Sequence, residues 1–192
     1  MNRNRVKTFD GVKWLTVPVK HVGRSLPINE VEVGNEAEPD WARRHWRTLK
    51  CNYSKAPFWD KYSDFFEEAY SKRWQRLVDL NMHLIRGIMR FLRIDRPLVM
   101  ASSLCVSGKG SDLVLAQCKA VGAKVQLSGS GARSYLNLDT FERSGIKVVF
   151  QNFQHPVYPQ LHGQFVPNLS VVDYLFCTGG RMWNQESGGQ PN

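Results

Sequence analysis

The chain has 192 residues, 42% of them apolar, a mass of 22.0 kDa and a formal net charge of +9. That length and composition belong to an ordinary globular protein with one sizeable core, so one domain is expected over residues 1–184. A pI near 9.6 favours phosphorylated or otherwise acidic partners, while the absence of any block of five or more basic residues argues against a dedicated nucleic-acid arm.

Residues 3–19 alternate polar and apolar side chains around Asp10-Gly11, which predicts a hairpin of strands over roughly 3–9 and 12–19, with Pro18 at a strand end. Residues 26–33 form a third candidate strand, and 34–39 an acidic, turn-rich link. From Asp40, a candidate N-cap, the period becomes helical, with Trp41, His45, Leu49 and Tyr53 on one side. A second helix is expected after Pro57 to about Tyr70. A third is marked by the stripe Trp74, Leu77, Leu80, Leu84, Ile88 and Phe91, with Gly87 inside it signalling close packing. After Pro97 the chain alternates: a strand over 98–102, a helix from Ser111-Asp112 to near Gly122, a strand over 124–128, a short helix around 140–144 and a strand over 146–151. This order predicts an α/β fold, a mostly parallel sheet with crossover helices, an N-terminal β-hairpin and a helical middle segment. The polar, glycine-rich residues 185–192 are expected to form a disordered tail.

Two glycine loops, Ser107-Gly108-Lys109-Gly110-Ser111-Asp112 and Ser128-Gly129-Ser130-Gly131-Ala132-Arg133, each sit where a strand should meet a helix. Unpaired N–H groups at such a junction favour an anion, with Gly129 and Gly131 allowing close approach and Lys109 and Arg133 completing a clamp. Neither loop carries a full dinucleotide or phosphate-loop fingerprint, and tight turns capped by Asp112 and Ser130 are the other reading. Arg3, Arg5 and Lys7 alternate along one strand and so share a face, suited either to phosphate or to a charged, soluble edge. The segment from Gln151 to Asn168 is rich in amides and aromatic rings, a composition suited to sugar hydroxyls and sugar rings. Gln154, Tyr158 and Asn168 are its candidate readers, unless the amides serve their own backbone. His155 and His162 have the right chemistry for a general acid or base near neutral pH. Asp112 is either a proton-transfer group or an acid stabilised by a helix dipole. Ser170-x-x-Asp173 reads first as a helix capping box.

The four cysteines are dispersed and form no Cys-x-x-Cys pair, so neither a zinc site nor a disulfide framework is expected. Without an apolar run of about 18 residues or the apolar core of a signal peptide, the expectation is a soluble, cytoplasmic protein that does not insert into a membrane.

Several of these motifs occur in the order found in the WbqC-like family, which the chain resembles over nearly its whole length: Asn2-Arg3-Asn4-Arg5-Val6-Lys7, Trp14-Leu15-Thr16-Val17-Pro18-Val19, Lys55-Ala56-Pro57-Phe58, Ser111-Asp112-Leu113, Leu127-Ser128-Gly129 with Gly131-Ala132, and Pro167-Asn168-Leu169-Ser170. Members of that family usually begin with a further segment containing Gln-Pro-x-Tyr-Leu-Pro-Trp, which is not in this sequence. The resemblance implies work on activated sugars, or on groups transferred to them, in bacterial surface-polysaccharide assembly. Combined with the residues above, it implies a phosphorylated or nucleotide-linked sugar held by Arg3, Arg5, Lys109 and Arg133. The sugar would be read by Gln154, Tyr158 and Asn168, and His155 or Asp112 would move protons. No cofactor is specified. Two other classes fit the same sequence: a noncatalytic nucleic-acid-binding module, from the charge and the tryptophans, and an assembly partner in the polysaccharide machinery, from the aromatic helices.

Overall fold

A computed structural model describes residues 2–20, 26–36 and 40–180. The expected tail, and residues 37–39 of the acidic link, lie outside the described residues. The chain divides into two compact units, Met1–Asp95 with His155–Asn192, and Arg96–Gln154. In chain order the regular elements are strands β1 (Arg3–Thr8) and β2 (Gly11–Thr16), helices α1 (Trp41–Tyr53), α2 (Trp59–Ser71), α3 (Leu77–Phe91) and α4 (Gly110–Ala120), strand β3 (Val125–Ser128), helix α5 (Leu138–Arg143), strand β4 (Lys147–Phe150) and helix α6 (Val171–Thr178).

The first unit begins with the expected hairpin. β1 and β2 pair antiparallel from Arg3 with Thr16 to Thr8 with Gly11, and Phe9-Asp10 forms the turn. Gly11 leaves that turn at φ 111°, a backbone region closed to most side chains. Alternation sends Val6 and Leu15 inward, where they join Leu49, Tyr53, Tyr62, Phe66, Leu175 and Phe176 in the main core. The ladder ends at Arg3 with Thr16, short of Val19, with one further bond from the Val17 N–H to the Asn2 carbonyl. The strand expected over 26–33 is not formed: Pro27 opens a 3₁₀ turn, Ile28–Glu30, closed by Glu30 N–H donating to the Pro27 carbonyl. Only isolated bridges, Val19 with Val33 and Glu32 with Arg76, survive of it.

α1 starts where Asp40 predicts, its side chain accepting from the N–H groups of Ala42 and Arg43. α3 carries the predicted stripe but starts at Leu77. Trp74 belongs to the preceding link, its indole N–H donating to the Ala69 carbonyl at 2.7 Å. Close packing at Gly87 is real: a Cβ built there would stand 2.1 Å from the Phe65 ring. A second core cluster joins Val33, Trp41, Leu77 and Leu80.

In the second unit β3 and β4 pair parallel, Val125 with Lys147 to Ser128 with Phe150, and are linked through a 3₁₀ segment, Ser130–Ser134, and α5. Cys118, Ala132, Leu136, Phe141 and Ile146 form its core. The expected strand over 98–102 is absent and Ala101–Leu104 is a 3₁₀ turn. Leu98 and Val99 are exposed, so an apolar run alone, with no strand to pair against, does not make a ladder. The protein is mixed α/β, but among the described residues the mostly parallel sheet expected from sequence reduces to one parallel pair beside one antiparallel hairpin.

Candidate functional site

The hairpin positions the first candidate group. Register sets Trp14 opposite Arg5, and the guanidinium carbons of Arg3 and Arg5 lie 4.7 and 5.6 Å from the centroid of its ring. Trp14 is 51% exposed, and among the described residues neither arginine has a carboxylate partner within ion-pair distance. Arg5 also donates to the Asn168 carbonyl at 2.9 Å, which holds one guanidinium between the aromatic face and the 155–168 loop. Asn168 itself sits at φ 60°, a left-handed conformation that asparagine tolerates better than most residues.

Lys7 follows the same alternation but meets neither solvent nor an open surface. It is 3% exposed, and its ammonium donates to Gln160 Oε1 at 3.3 Å and to the carbonyls of Gly163 and Gln164. A buried ammonium is tolerated only when its donors are satisfied, so Lys7 ties the loop onto β1. Gln160 braces that loop from within, accepting from the Val166 N–H and donating to the Val166 carbonyl. For this amide, service to its own backbone is what the structure contains.

Beneath the face lies a polar network. The Lys7 N–H donates to the Tyr53 hydroxyl at 2.9 Å, Tyr53 donates to Asp173 Oδ2 at 2.7 Å, and Tyr158 donates to Asp173 Oδ1 at 2.8 Å. Asp173 is fully buried. Burial, with the Asp173 charge adding to it, pushes both tyrosine hydroxyls well above the usual phenol range, so they stay protonated as donors. The same two causes push the neighbouring Cys177 thiol up to about 11, which makes it a poor nucleophile near neutral pH. Ser170 is a plain N-cap, its Oγ accepting from the Val172 N–H, while the Asp173 N–H donates to the Ser170 carbonyl, so the capping box is not formed. The Ser170 N–H that a box would offer Asp173 instead donates to the Arg5 carbonyl at 2.7 Å.

His155 Nδ1 is 2.8 Å from the Pro156 carbonyl, and its ring packs near Tyr158 and Phe165. Tyr158 is buried, with its hydroxyl on Asp173. His162 Nε2 lies 2.9 Å from the Asn52 carbonyl. These residues, with Arg3, Arg5 and Asn168, belong to the first unit.

Lys109, Asp112, Gly129, Gly131, Arg133 and Gln154 belong to the second. There Lys109 occupies the N-cap of α4, without a side-chain cap bond, and Asp112 lies exposed in its first turn. Gly129 precedes the 3₁₀ segment that contains Gly131, and Arg133 stands 4.1 Å over the Phe150 ring. Gln154 donates to Asn152 Oδ1 at 3.2 Å. Neither glycine loop is the strand-to-helix junction expected: the first leads into an α-helix without a strand before it, and the second follows a strand but enters only a five-residue 3₁₀ segment. Among the described residues no three His, Cys, Asp or Glu side chains are grouped to hold a metal ion.

Sequence reasoning missed Tyr53, the tyrosine-bound role of Asp173, and Trp14 as the platform for the arginines. Only Trp14 was within reach, because the register of a tight hairpin names the cross-strand partner of Arg5. Tyr53 and Asp173 are 120 residues apart, and no local pattern joins them.

These features describe a mixed α/β protein with an arginine and tryptophan face above a buried tyrosine and aspartate network. Residues 1–184 match the model of the WbqC-like protein family, and the chain belongs to that family. It is similar to the uncharacterized protein Rv1507c of Mycobacterium tuberculosis (strain ATCC 25618 / H37Rv), with 33% identity over 181 residues that cover 93% of this chain and 77% of the relative. No solved structure matches it.

Proposed function

We propose that the protein binds a phosphorylated or nucleotide-linked sugar and takes part in group transfer during bacterial surface-polysaccharide biosynthesis. The observation that carries this reading is the pair Arg3 and Arg5, without carboxylate partners among the described residues, over the exposed ring of Trp14. Guanidinium groups suit phosphate oxygens, and an exposed indole suits the apolar face of a sugar or a base. Asn168 and Tyr158 shape the loop beside this face, the first through its carbonyl on Arg5 and the second through its bond to Asp173. Proton movement is assigned to His155. Its Nδ1 lies 2.8 Å from the Pro156 carbonyl, and Asp112 in the second unit is the other group assigned to move protons. Lys109 and Arg133, with Gly129 and Gly131, supply further anion-holding groups in the second unit, where Gln154 and Asp112 also stand.

Calorimetric titration with a panel of nucleotide-sugars at low and high salt tests the reading. Arg3→Ala and Trp14→Ala are each expected to weaken binding about tenfold, the effect of losing ~1.4 kcal/mol from one contact, and salt is expected to weaken the wild type. An Arg3→Ala protein that binds like wild type would remove the arginine and tryptophan face from the assignment.

A further inference from the structure

Away from that face, a concave surface lies in the first unit between the hairpin turn and α1. It is a cleft of about 570 Å³, within the volume range of small-ligand sites. Three basic side chains line it, Lys13 from β2 and Arg44 and Arg47 from α1, against one carboxylate, that of Asp10. None of the three has a carboxylate within ion-pair distance among the described residues. Phe9, 73% exposed at the tip of the turn, forms an aromatic wall of the same cleft.

The two walls are tied together. Asn52 of α1 accepts from the Phe9 N–H at 3.0 Å and donates to the Thr48 carbonyl at 2.8 Å, so the turn is held at a set position over the helix. α1 contributes Arg43, Arg44, Arg47 and Lys50 and no acid. Gathering like charges on a concave, partly apolar surface raises their mutual repulsion, and a bound anion offsets it.

We infer that this cleft binds a diphosphate-bearing small molecule, with the phosphates on Lys13, Arg44 and Arg47 and an aromatic base against Phe9. Two adjacent phosphates suit three cations better than one does, and the planar, multidentate arginine fork is suited to phosphate oxygens. None of these residues belongs to the Arg3, Arg5 and Trp14 face, so the inference goes beyond the proposed function.

The cleft carries its own reporter. Cys51 lines it and is exposed, whereas Cys105, also exposed, lies in the second unit and serves as an internal control. The full chain is alkylated with iodoacetamide at low salt, and the rate at each cysteine is followed by peptide mass spectrometry with pyrophosphate, with uridine diphosphate, or with neither. Both probes are expected to slow Cys51 about tenfold when present at about ten times their Kd, by mass action. Cys105 is expected to be unaffected, and uridine diphosphate is expected to protect at lower concentration than pyrophosphate. The double variant Arg44→Gln, Arg47→Gln is expected to lose the protection while melting no lower than wild type, since both arginines are exposed. Arg3→Ala is expected to keep it, which separates this site from the proposed function. Unprotected Cys51 at millimolar probe, equal protection of Cys105, protection by uridine diphosphate without any by pyrophosphate, or protection that persists in the double variant would each overturn the inference.

Discussion

At the residue scale some polar groups lie in the interior with their partners supplied. Lys7, Tyr53, Tyr158 and Asp173 illustrate this, and His45 presents a different case. It is 2% exposed and packs edge-on against the rings of Trp41 and Tyr70. Burial first, then the adjacent Arg44 charge, lowers its pKa to about 4, with a backbone hydrogen bond to Thr16 acting the other way. The folded state therefore resists a proton that the unfolded chain accepts at its ordinary value. Stability is fully present above the unfolded pKa of 6.5 and is lost as pH falls toward about 4. The sum over that window is about 3 kcal/mol. Urea unfolding of wild type from pH 7 down to pH about 4.5 is expected to show this decline, and His45→Phe is expected to flatten it. An equal slope in the variant would assign the acid sensitivity to other groups.

At the element scale Gly87 offers a direct test of packing. Replacing a helical glycine by alanine gains about 1 kcal/mol of propensity on an open surface. Here the added methyl would fall 2.1 Å from the Phe65 ring, which itself stacks on His83 and meets Phe91 edge-on. Gly87→Ala is thus expected to destabilise the protein by ~1–3 kcal/mol despite its better propensity, because overpacking forces the ring aside. A raised melting temperature in the variant would show that Phe65 moves without cost. Elements whose determinants are local were legible in the sequence: the α1 cap at Asp40, the α3 stripe, and the hairpin around Asp10-Gly11. Elements that depend on a partner were not. Residues 26–33 and 98–102 had apolar content suited to strands, but a strand exists only where another supplies its donors and acceptors. Pro27 and the exposed Leu98 and Val99 mark where that supply failed.

At the scale of the whole molecule, the net charge of +9 concerns partners rather than fold. Its local use at the hairpin face and at the α1 cleft is what the two binding proposals rest on. Among the described residues no helix is long and apolar enough to cross a membrane. We propose that residues 1–184 unfold as a single domain, which calorimetry tests. One domain predicts one heat-absorption peak, with calorimetric and van't Hoff enthalpies equal. Two separated peaks would mean that Met1–Asp95 with His155–Asn192 and Arg96–Gln154 unfold independently.

Alone, the sequence determined helices α1 to α5, the hairpin, the family and the alternation that gives Arg3, Arg5 and Lys7 one face. These depend on neighbours a few residues apart or on motif order. Only the tertiary structure decided that Lys7 is buried under the 160–164 loop, that Asp173 serves Tyr53 and Tyr158 rather than a capping box, and that Lys13 shares a cleft with Arg44 and Arg47. Each joins residues far apart in the chain, where burial and hydrogen-bond partners are set by packing and leave no periodic trace in the order of residues.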